Sequence, residues 1–274
     1  MLVEVKKLHG LAIHALDGEV GSVDEFLFDD EFWTVRYLIV NTGSWLMDRK
    51  VLISPLALGG VDWDKKTLTV NLTCDQIEKS PGVETDQPVS RQWEIGYYDY
   101  YSLPYYWDGV SGWGAYLYSG GLLAQTVGST EILQHKADHQ ARQDAEDCAH
   151  ERADAHLRST KEVTGYGISA TDGHLGHVTD FIVNDETWRI SYLTVDTQNW
   201  WPGKSILLPP EWITRVSWSE RSVSVNVTRD QVKGAPEWEA EKIISRAFET
   251  QLYAYYDRQH PEETKKNGEL RRKQ

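Results

Sequence analysis

The sequence predicts a mainly β protein with two small antiparallel β-barrels, each followed by an aromatic-rich helix. The first observation is an internal repeat: a shift of 155 positions places Asp17 on Asp172. The register then holds without a gap to Tyr100-Tyr101, which fall on Tyr255-Tyr256. One offset kept over that length indicates a duplicated folding unit. The second observation is a series of short β-prone runs, about ten residues apart and broken by turns, which is typical of small barrels and sandwiches.

The first repeat shows these runs in order. Leu11-Ala12-Ile13 leads into the turn Asp17-Gly18, a hairpin signal between apolar segments. The β-prone runs that follow are Val23 to Phe28, Trp33 to Val40, Lys50 to Ile53, Val61 to Trp63 and Leu68 to Leu72. The second repeat shows the same order from Ile168 to Val227.

A helix is predicted behind each barrel because apolar residues recur there at helical spacing. In the first repeat these are Val89, Trp93, Tyr97 and Tyr100. In the second they are Ala240, Ile243, Ile244, Ala247, Phe248, Leu252 and Tyr255. Because the aromatic positions match between the copies, we expect both helices to cover barrel surface.

Residues that match between the copies form the structural signature of the repeat. In the first copy they are Asp17, Gly18, Gly21, Trp33, Tyr37 and Pro55, and in the second Asp172, Gly173, Gly176, Trp188, Tyr192 and Pro210. Matched aromatic residues usually lie in a core. We therefore expect Trp33, Tyr37 and Trp63 to be buried, together with Trp188, Tyr192 and Trp218.

The repeat divides the chain as follows. Residues 1–81 form the first barrel, 82–102 its trailing helix, 161–236 the second barrel and 237–257 its trailing helix. Residues 103–160 hold an aromatic and glycine-rich insertion and then an acidic, alanine-rich helical linker. Residues 258–274 form a polar tail that we expect to be disordered.

A group of aromatic residues in turns and in the insertion is the candidate interaction surface. Its members are Trp45, Trp200, Trp201, Tyr105, Tyr106, Trp107 and Trp113. Exposed aromatic residues of this kind form binding patches. The alternative, which we favour for the insertion, is that it packs on the two barrels, since a loop so poor in aliphatic residues needs a surface to lie on.

Composition excludes several classes of function. The net charge of −14 repels phosphate backbones, so we expect no direct nucleic-acid binding. Two cysteines, Cys74 and Cys148, provide no secreted disulfide framework and favour a cytoplasmic location. No apolar run reaches membrane-spanning length. Phosphate loops, dinucleotide fingerprints, nucleophile elbows and paired zinc motifs are absent from the sequence, so we expect neither an enzyme nor a cofactor.

Two histidine pairs are the candidate metal ligands. His135 and His139 are four apart on the predicted linker helix, a spacing that can present two imidazoles to one metal ion. Arg142 would share that face, and a fixed cation disfavours a metal. His174 and His177 flank a turn, where exposed turn residues are the simpler interpretation. We therefore predict no metal site.

The repeat pattern resembles the PRC-barrel domain. The resemblance rests on Asp-Gly with a second Gly three residues later, an aromatic-rich strand ending in Tyr-Leu, and a Val-Leu-Ile or Ile-Leu-Leu strand closed by Pro. It covers about Leu8 to Pro81 and Val163 to Pro236. This module is known from the photosynthetic reaction-centre H subunit and from the ribosome-maturation factor RimM.

The resemblance implies a docking and assembly module rather than a catalyst. We expect a protein partner, and peripheral association with a membrane surface stays open. One alternative is a ribosome-maturation or RNA-processing accessory factor, by analogy with RimM. Another is a small-molecule or metal-binding stress-response sensor.

Overall fold

The computed structural model describes residues 1–47, 49–81, 91–103, 157–197, 205–217, 219–239 and 244–256. In this part of the chain the protein is mainly β, with two seven-stranded sheets and a few short helices. The chain divides into two compact units. The first unit holds Met1, Val3–Lys161 and Asn184–Ile190, and the second holds Leu2, Glu162–Val183 and Ser191–Gln274.

The first unit follows the first repeat. Its strands are β2 (Ala12–His14), β3 (Glu19–Asp29), β4 (Thr34–Asn41), β5 (Lys50–Ile53), β6 (Leu58–Asp62), β7 (Thr67–Val70) and β8 (Leu157–Ser159). Its helices are α1 (Val5–Leu8), α2 (Cys74–Glu78) and α3 (Arg91–Tyr101), with 3-10 turns at Gly43–Leu46 and Pro55–Ala57. The sheet order is β5-β4-β3-β2-β7-β6, and β8 pairs with β3.

The second unit repeats this arrangement. Its strands are β9 (Gly167–Ala170), β10 (Gly173–Asn184), β11 (Ile190–Asp196), β12 (Ser205–Leu208), β13 (Ile213–Ser217) and β14 (Ser222–Val225), in the order β12-β11-β10-β9-β14-β13. The seventh strand of the sheet is β1 (Leu2–Glu4), whose Leu2 belongs to this unit. Its helices are α5 (Arg229–Lys233) and α6 (Arg246–Tyr255), with a 3-10 turn at Pro210–Trp212. The helix α4 (Thr160–Val163) begins in the first unit and ends in the second.

Many strand pairs are antiparallel, for example β3 with β4 and β11 with β12, but each sheet also contains a parallel pair. β2 pairs with β7 in parallel, and β9 pairs with β14 in the same way. The sheets are therefore mixed, whereas the sequence predicted antiparallel barrels. The sequence pattern could not show this, because alternation of apolar and polar residues is the same for both directions and only the path of the chain decides between them.

The strand β4 is buried on both faces. All of its residues except Asn41 are buried. Tyr37 and Ile39 belong to a core cluster that also contains Tyr97 and Tyr98 of α3. A strand covered on both sides is rich in apolar residues, as Tyr37 to Val40 are here. Arg36 is buried as an ion pair with Asp29. The helix α3 thus lies on one face of the sheet of the first unit.

Two signature glycines are fixed by close backbone approach. At Gly21 a Cβ would lie 2.1 Å from the carbonyl oxygen of Asn41, and at Gly176 it would lie 2.1 Å from that of Asp196. Both residues have strongly positive φ angles, 150° and 156°, which residues with a side chain rarely adopt. The repeat therefore requires glycine at both positions.

The signature aspartates connect the first turn of each repeat to the helix that follows its last strand. The carboxylate of Asp17 accepts a hydrogen bond from the amide of Cys74 at 2.7 Å, and Asp172 accepts one from Arg229 at 2.8 Å. These amides are the first of α2 and α5, where helical N–H groups lack intrahelical partners. The duplicated Asp is thus a structural residue in both units.

The boundaries of the repeats and of the units differ. The division by repeats put residues 157–160 in the linker, whereas Leu157–Ser159 form β8 on the sheet of the first unit. Asn184–Ile190 also belongs to the first unit, since the Val35 amide donates to the Trp188 carbonyl and the Ile190 amide donates to the Trp33 carbonyl. A sequence offset cannot show this, because unpaired backbone groups bond to whichever strand lies next to them.

The matched aromatic residues are buried with one exception among those described. Trp33, Tyr37, Trp188 and Tyr192 are all buried. Trp63 is 36% exposed, so the expectation of a core position is wrong for this residue. It follows β6 at the start of a hairpin turn, where a side chain has the sheet on one side only. Trp218 lies outside the described residues.

Candidate interaction surfaces

The trailing helix α3 is held to the sheet by a buried hydrogen bond. The hydroxyl of Tyr37 on β4 donates to the carboxylate of Glu94 at 2.7 Å, and both side chains are fully buried. Burial raises the pKa of Tyr98, one helical turn further on, and the nearby Glu94 carboxylate raises it further. The first turn of α3 is therefore fixed by a polar contact inside an aromatic core.

A second contact fixes the middle of α3. The Ser54 amide donates to the Tyr97 hydroxyl at 2.7 Å. Burial raises the pKa of Tyr97 well above its usual value, so this hydroxyl stays protonated. The Tyr97 ring lies 5.4 Å from the ring of Tyr37 and 4.8 Å from that of Tyr101. Such tilted and edge-to-face contacts stabilise beyond their buried area and order the end of the helix.

At the end of α3, Tyr100 is presented to solvent. Its side chain is 41% exposed. Its ring contacts the ring of Tyr101 edge to face at 4.8 Å, and its hydroxyl donates to the carbonyl of Gln76 at 3.0 Å. Burial raises the pKa of Tyr101 to about 12. Tyr100 is thus an exposed ring in a defined orientation on a half-buried neighbour.

The second unit builds the same arrangement around α6. The Tyr192 hydroxyl donates to the Glu249 carboxylate at 2.8 Å, which repeats the contact of Tyr37 with Glu94. Burial raises the pKa of Tyr192 well above its usual value. At the end of the helix, Tyr256 packs against Trp212 with ring centroids 4.2 Å apart. The helix is therefore anchored at both ends.

Tyr255 is the counterpart of Tyr100. Its side chain is 43% exposed, and its ring contacts Tyr256 edge to face at 5.0 Å. A Cβ on Gly234 would lie 2.2 Å from the Tyr255 hydroxyl, so this ring passes directly over a glycine. The helical spacing had placed Tyr100 and Tyr255 on the packed faces of their helices. In the structure both side chains are exposed, and to a similar extent. Apolar spacing alone could not predict that these two tyrosines are exposed.

The second surface is the 3-10 turn Gly43–Leu46 and the following Met47, which we call the apolar turn. Trp45 is 37% exposed and Met47 is 93% exposed. Met47 has a φ of 52°, in the left-handed region that a Met side chain disfavours. Apolar residues that are both exposed and strained contribute little to folding, and such features concentrate at functional sites.

Of the seven residues predicted for the interaction surface, Trp45 is the one that the structure describes. It lies exposed on the apolar turn. The other six, Trp200, Trp201, Tyr105, Tyr106, Trp107 and Trp113, lie outside the described residues.

The signature prolines Pro55 and Pro210 both begin 3-10 turns. A Cβ added at Gly18 would lie 3.2 Å from the sulfur of Cys74, which starts α2, and one at Gly173 would lie 3.1 Å from the side chain of Arg229, which starts α5.

Within the described part of the chain, three or more His, Cys, Asp and Glu side chains nowhere come together in a group that could hold a metal ion. His174 lies on β10 opposite Ser169, and His177 lies on the same strand opposite Gly167. His135, His139 and Cys148 lie outside the described residues. Burial raises the pKa of the Cys74 thiol, and Asp17 raises it further, which disfavours a reactive thiolate.

None of the described helices is long and apolar enough to cross a membrane. The fold and its surfaces define a mainly β protein of two repeated units, each presenting an exposed tyrosine at the end of a docked helix.

No protein-family model matches the chain. The chain is similar to an uncharacterized protein of Deinococcus radiodurans, with 31% identity over 84 residues. This similarity covers 30% of the chain and 30% of that relative.

Proposed function

We propose that this protein is a non-catalytic protein-interaction and assembly module of two PRC-barrel-type domains, acting in the cytoplasm. The observation that carries the proposal is the pair Tyr100 and Tyr255, exposed by 41% and 43% at equivalent positions of the two units. Other aromatic residues of the repeat, such as Tyr37 and Tyr192, are buried in both copies. The repeat thus keeps an exposed aromatic side chain at this position of both units.

Tyrosine is well suited to a protein interface. It supplies a large contact area with only two rotatable side-chain torsions, so little entropy is lost on binding, and tyrosine is enriched among the residues that dominate binding energy. Here the ring is already oriented, because Tyr100 lies edge to face on Tyr101 and Tyr255 lies edge to face on Tyr256. Such preorganisation lowers the cost of binding.

Two equivalent contacts on one chain favour a partner with two equivalent epitopes. Binding at the first unit makes binding at the second intramolecular, and the gain in overall affinity reaches a factor of 100 or more when the geometry allows both. The net charge of −14 favours a basic protein over an acidic one. An assembly built from repeated basic subunits would meet both conditions.

The test replaces Tyr100 or Tyr255 with the photoreactive residue p-benzoylphenylalanine in the native host cells. We expect illumination to give a covalent protein adduct of the same mass at both positions. The partner identified in this way should then bind purified Tyr100→Ser and Tyr255→Ser single variants more weakly than the native chain. The double variant should lose more affinity than either.

Leu16 supplies the matched control, since it is 68% exposed on a separate turn of the first unit. A photoreactive residue at position 16 should give no adduct of that mass. Tyr100→Phe keeps the ring and removes only the hydroxyl that bonds to Gln76, so it should bind like the native chain. Adducts at neither tyrosine position, or the same adduct at all three positions, would reject the proposal.

A further inference from the structure

The apolar turn differs from the tyrosine surface in its chemistry. Trp45, Leu46 and Met47 follow one another in a turn with about three residues per revolution. Consecutive side chains of such a turn point in different directions. The apolar side chains of this turn therefore do not share one face, whereas a segment that fills a protein groove carries its apolar residues on one face.

Three backbone amides of the apolar turn donate to acceptors in or next to the turn. The Gly43 amide donates to the Asn41 side chain at 2.9 Å, and the Trp45 amide donates to the Thr42 carbonyl at 3.2 Å. The Met47 amide donates to the Gly43 carbonyl. An unsatisfied backbone amide is costly to move out of water, so these three bonds lower the cost of entering an apolar medium.

The base of the turn is anchored to the fold. Arg49, which follows the turn, donates its amide to the Leu46 carbonyl at 3.0 Å. Its guanidinium donates to the carbonyls of Glu78 at 2.8 Å and Ser80 at 2.6 Å, at the C-terminal end of α2. A cation is favourable at that end of a helix. The C-terminal end of the apolar turn is thus held to the fold by the hydrogen bonds of Arg49.

The net charge of the protein decides which kind of lipid bilayer the apolar turn can approach. The chain carries a net charge of −14, which opposes approach to an anionic bilayer. A zwitterionic bilayer presents no such barrier, and tryptophan prefers the boundary between headgroups and acyl chains. Arg49 has its charge engaged by helix carbonyls, and Lys50 is paired with Asp24 at 3.1 Å, so the base offers little free positive charge for anionic lipid.

We propose that the apolar turn inserts into the headgroup–acyl boundary of a zwitterionic lipid bilayer and holds the protein at that surface. Trp45 and Met47 enter the boundary, and the Arg49 base stays at its edge. This contact uses other side chains than the tyrosines, so different variants test the two proposals. The two groups are neighbours at α2, where Arg49 donates to the Glu78 carbonyl and Tyr100 to the Gln76 carbonyl. It also gives a reason for the strained, 93% exposed Met47.

The test is flotation of the purified full chain with vesicles of pure phosphatidylcholine. We expect the native chain to float with the vesicles, and the fraction bound to change less than about twofold between low and high salt, because no counterions are released. Addition of phosphatidylglycerol should lower the bound fraction. The double variant Trp45→Ser, Met47→Ser should bind at least about tenfold more weakly, since two apolar side chains no longer leave water.

Two further variants separate lipid contact from damage to the fold. Met47→Gly suits a φ of 52° better than Met, so it should unfold at a higher temperature than the native chain and still bind vesicles more weakly. Leu16→Ser removes another exposed apolar side chain and should bind like the native chain. The proposal fails if the native chain does not float, or if the double variant or Met47→Gly floats as well as the native chain does.

Discussion

The Ser54 amide and the Tyr97 hydroxyl lie 2.7 Å apart in the first unit, and both partners are replaced together in the second repeat. A shift of 155 positions places Pro209 on Ser54 and Leu252 on Tyr97. Proline has no amide hydrogen to donate, and leucine has no hydroxyl to accept it. The equivalent positions therefore hold a hydrogen-bonded pair in the first repeat and two apolar residues in the second.

We expect Tyr97→Phe to destabilise the protein by about 1–3 kcal/mol, because the buried Ser54 amide loses its acceptor. Adding Ser54→Pro should restore part of that loss. The φ of Ser54 is −68°, close to the value that proline fixes, and Pro209 has a φ of −61°. Urea unfolding of the two single variants and the double variant measures the coupling. A double variant less stable than Tyr97→Phe alone would contradict this account.

The repeat, its turns and its glycines could be predicted from the sequence, because they depend on local backbone geometry. Gly21 and Gly176 show this, since a duplicated glycine signals a duplicated positive φ. The trailing helices α3 and α6 could also be predicted from apolar spacing. The resemblance to the PRC barrel stays a prediction, as does the interaction surface in the insertion.

The polar contacts of the trailing helices could not be predicted. Glu94 is 57 residues from Tyr37, and Glu249 is 57 residues from Tyr192. A glutamate on a helix is usually solvated, so nothing in the sequence marks these two as buried or half-buried partners of a tyrosine. The spacing also gave no reason to separate the exposed Tyr100 from the buried Tyr97.

The two equivalent Tyr–Glu contacts should differ in strength. Glu94 is fully buried, whereas Glu249 is half-buried and can contact water. Removing the donor from a buried carboxylate costs more, because water cannot replace it. We expect Tyr37→Phe to lower the free energy of unfolding by about 1.5–3 kcal/mol and Tyr192→Phe by about 1 kcal/mol or less. Urea unfolding of both variants measures the difference, and equal losses would count against it.

The signature glycine of the first repeat should be intolerant of a methyl group. In Gly21→Ala the new Cβ would meet the Asn41 carbonyl oxygen at 2.1 Å, at a φ of 150°. We expect a loss of several kcal/mol or failure to fold, since both the clash and the backbone strain oppose the change. Gly60→Ala is the control, because a Cβ there meets nothing within 4 Å. Thermal unfolding should show little change for Gly60→Ala, and similar losses in both variants would contradict the assignment.

Alkaline pH should destabilise the protein through its buried tyrosines. Burial raises the pKa of Tyr101 to about 12, from about 10 in an unfolded chain. Because the folded state favours the protonated hydroxyl, its stabilising contribution is complete below pH 10 and is lost as the pH rises from about 10 to about 12. The pKa of Tyr97 is also raised by burial, so the effects add.

The variant Tyr101→Phe cannot ionise at this position, so we expect it to lose less stability than the native chain between pH 8.5 and pH 11. Tyr100→Phe is the matched control: it lies next in sequence and its hydroxyl contacts the same Gln76 carbonyl, but its side chain is 41% exposed. This control should follow the native pH dependence. Urea unfolding at the two pH values measures all three proteins. A parallel loss in Tyr101→Phe and the native chain would show that the ionisation of other groups controls alkaline unfolding.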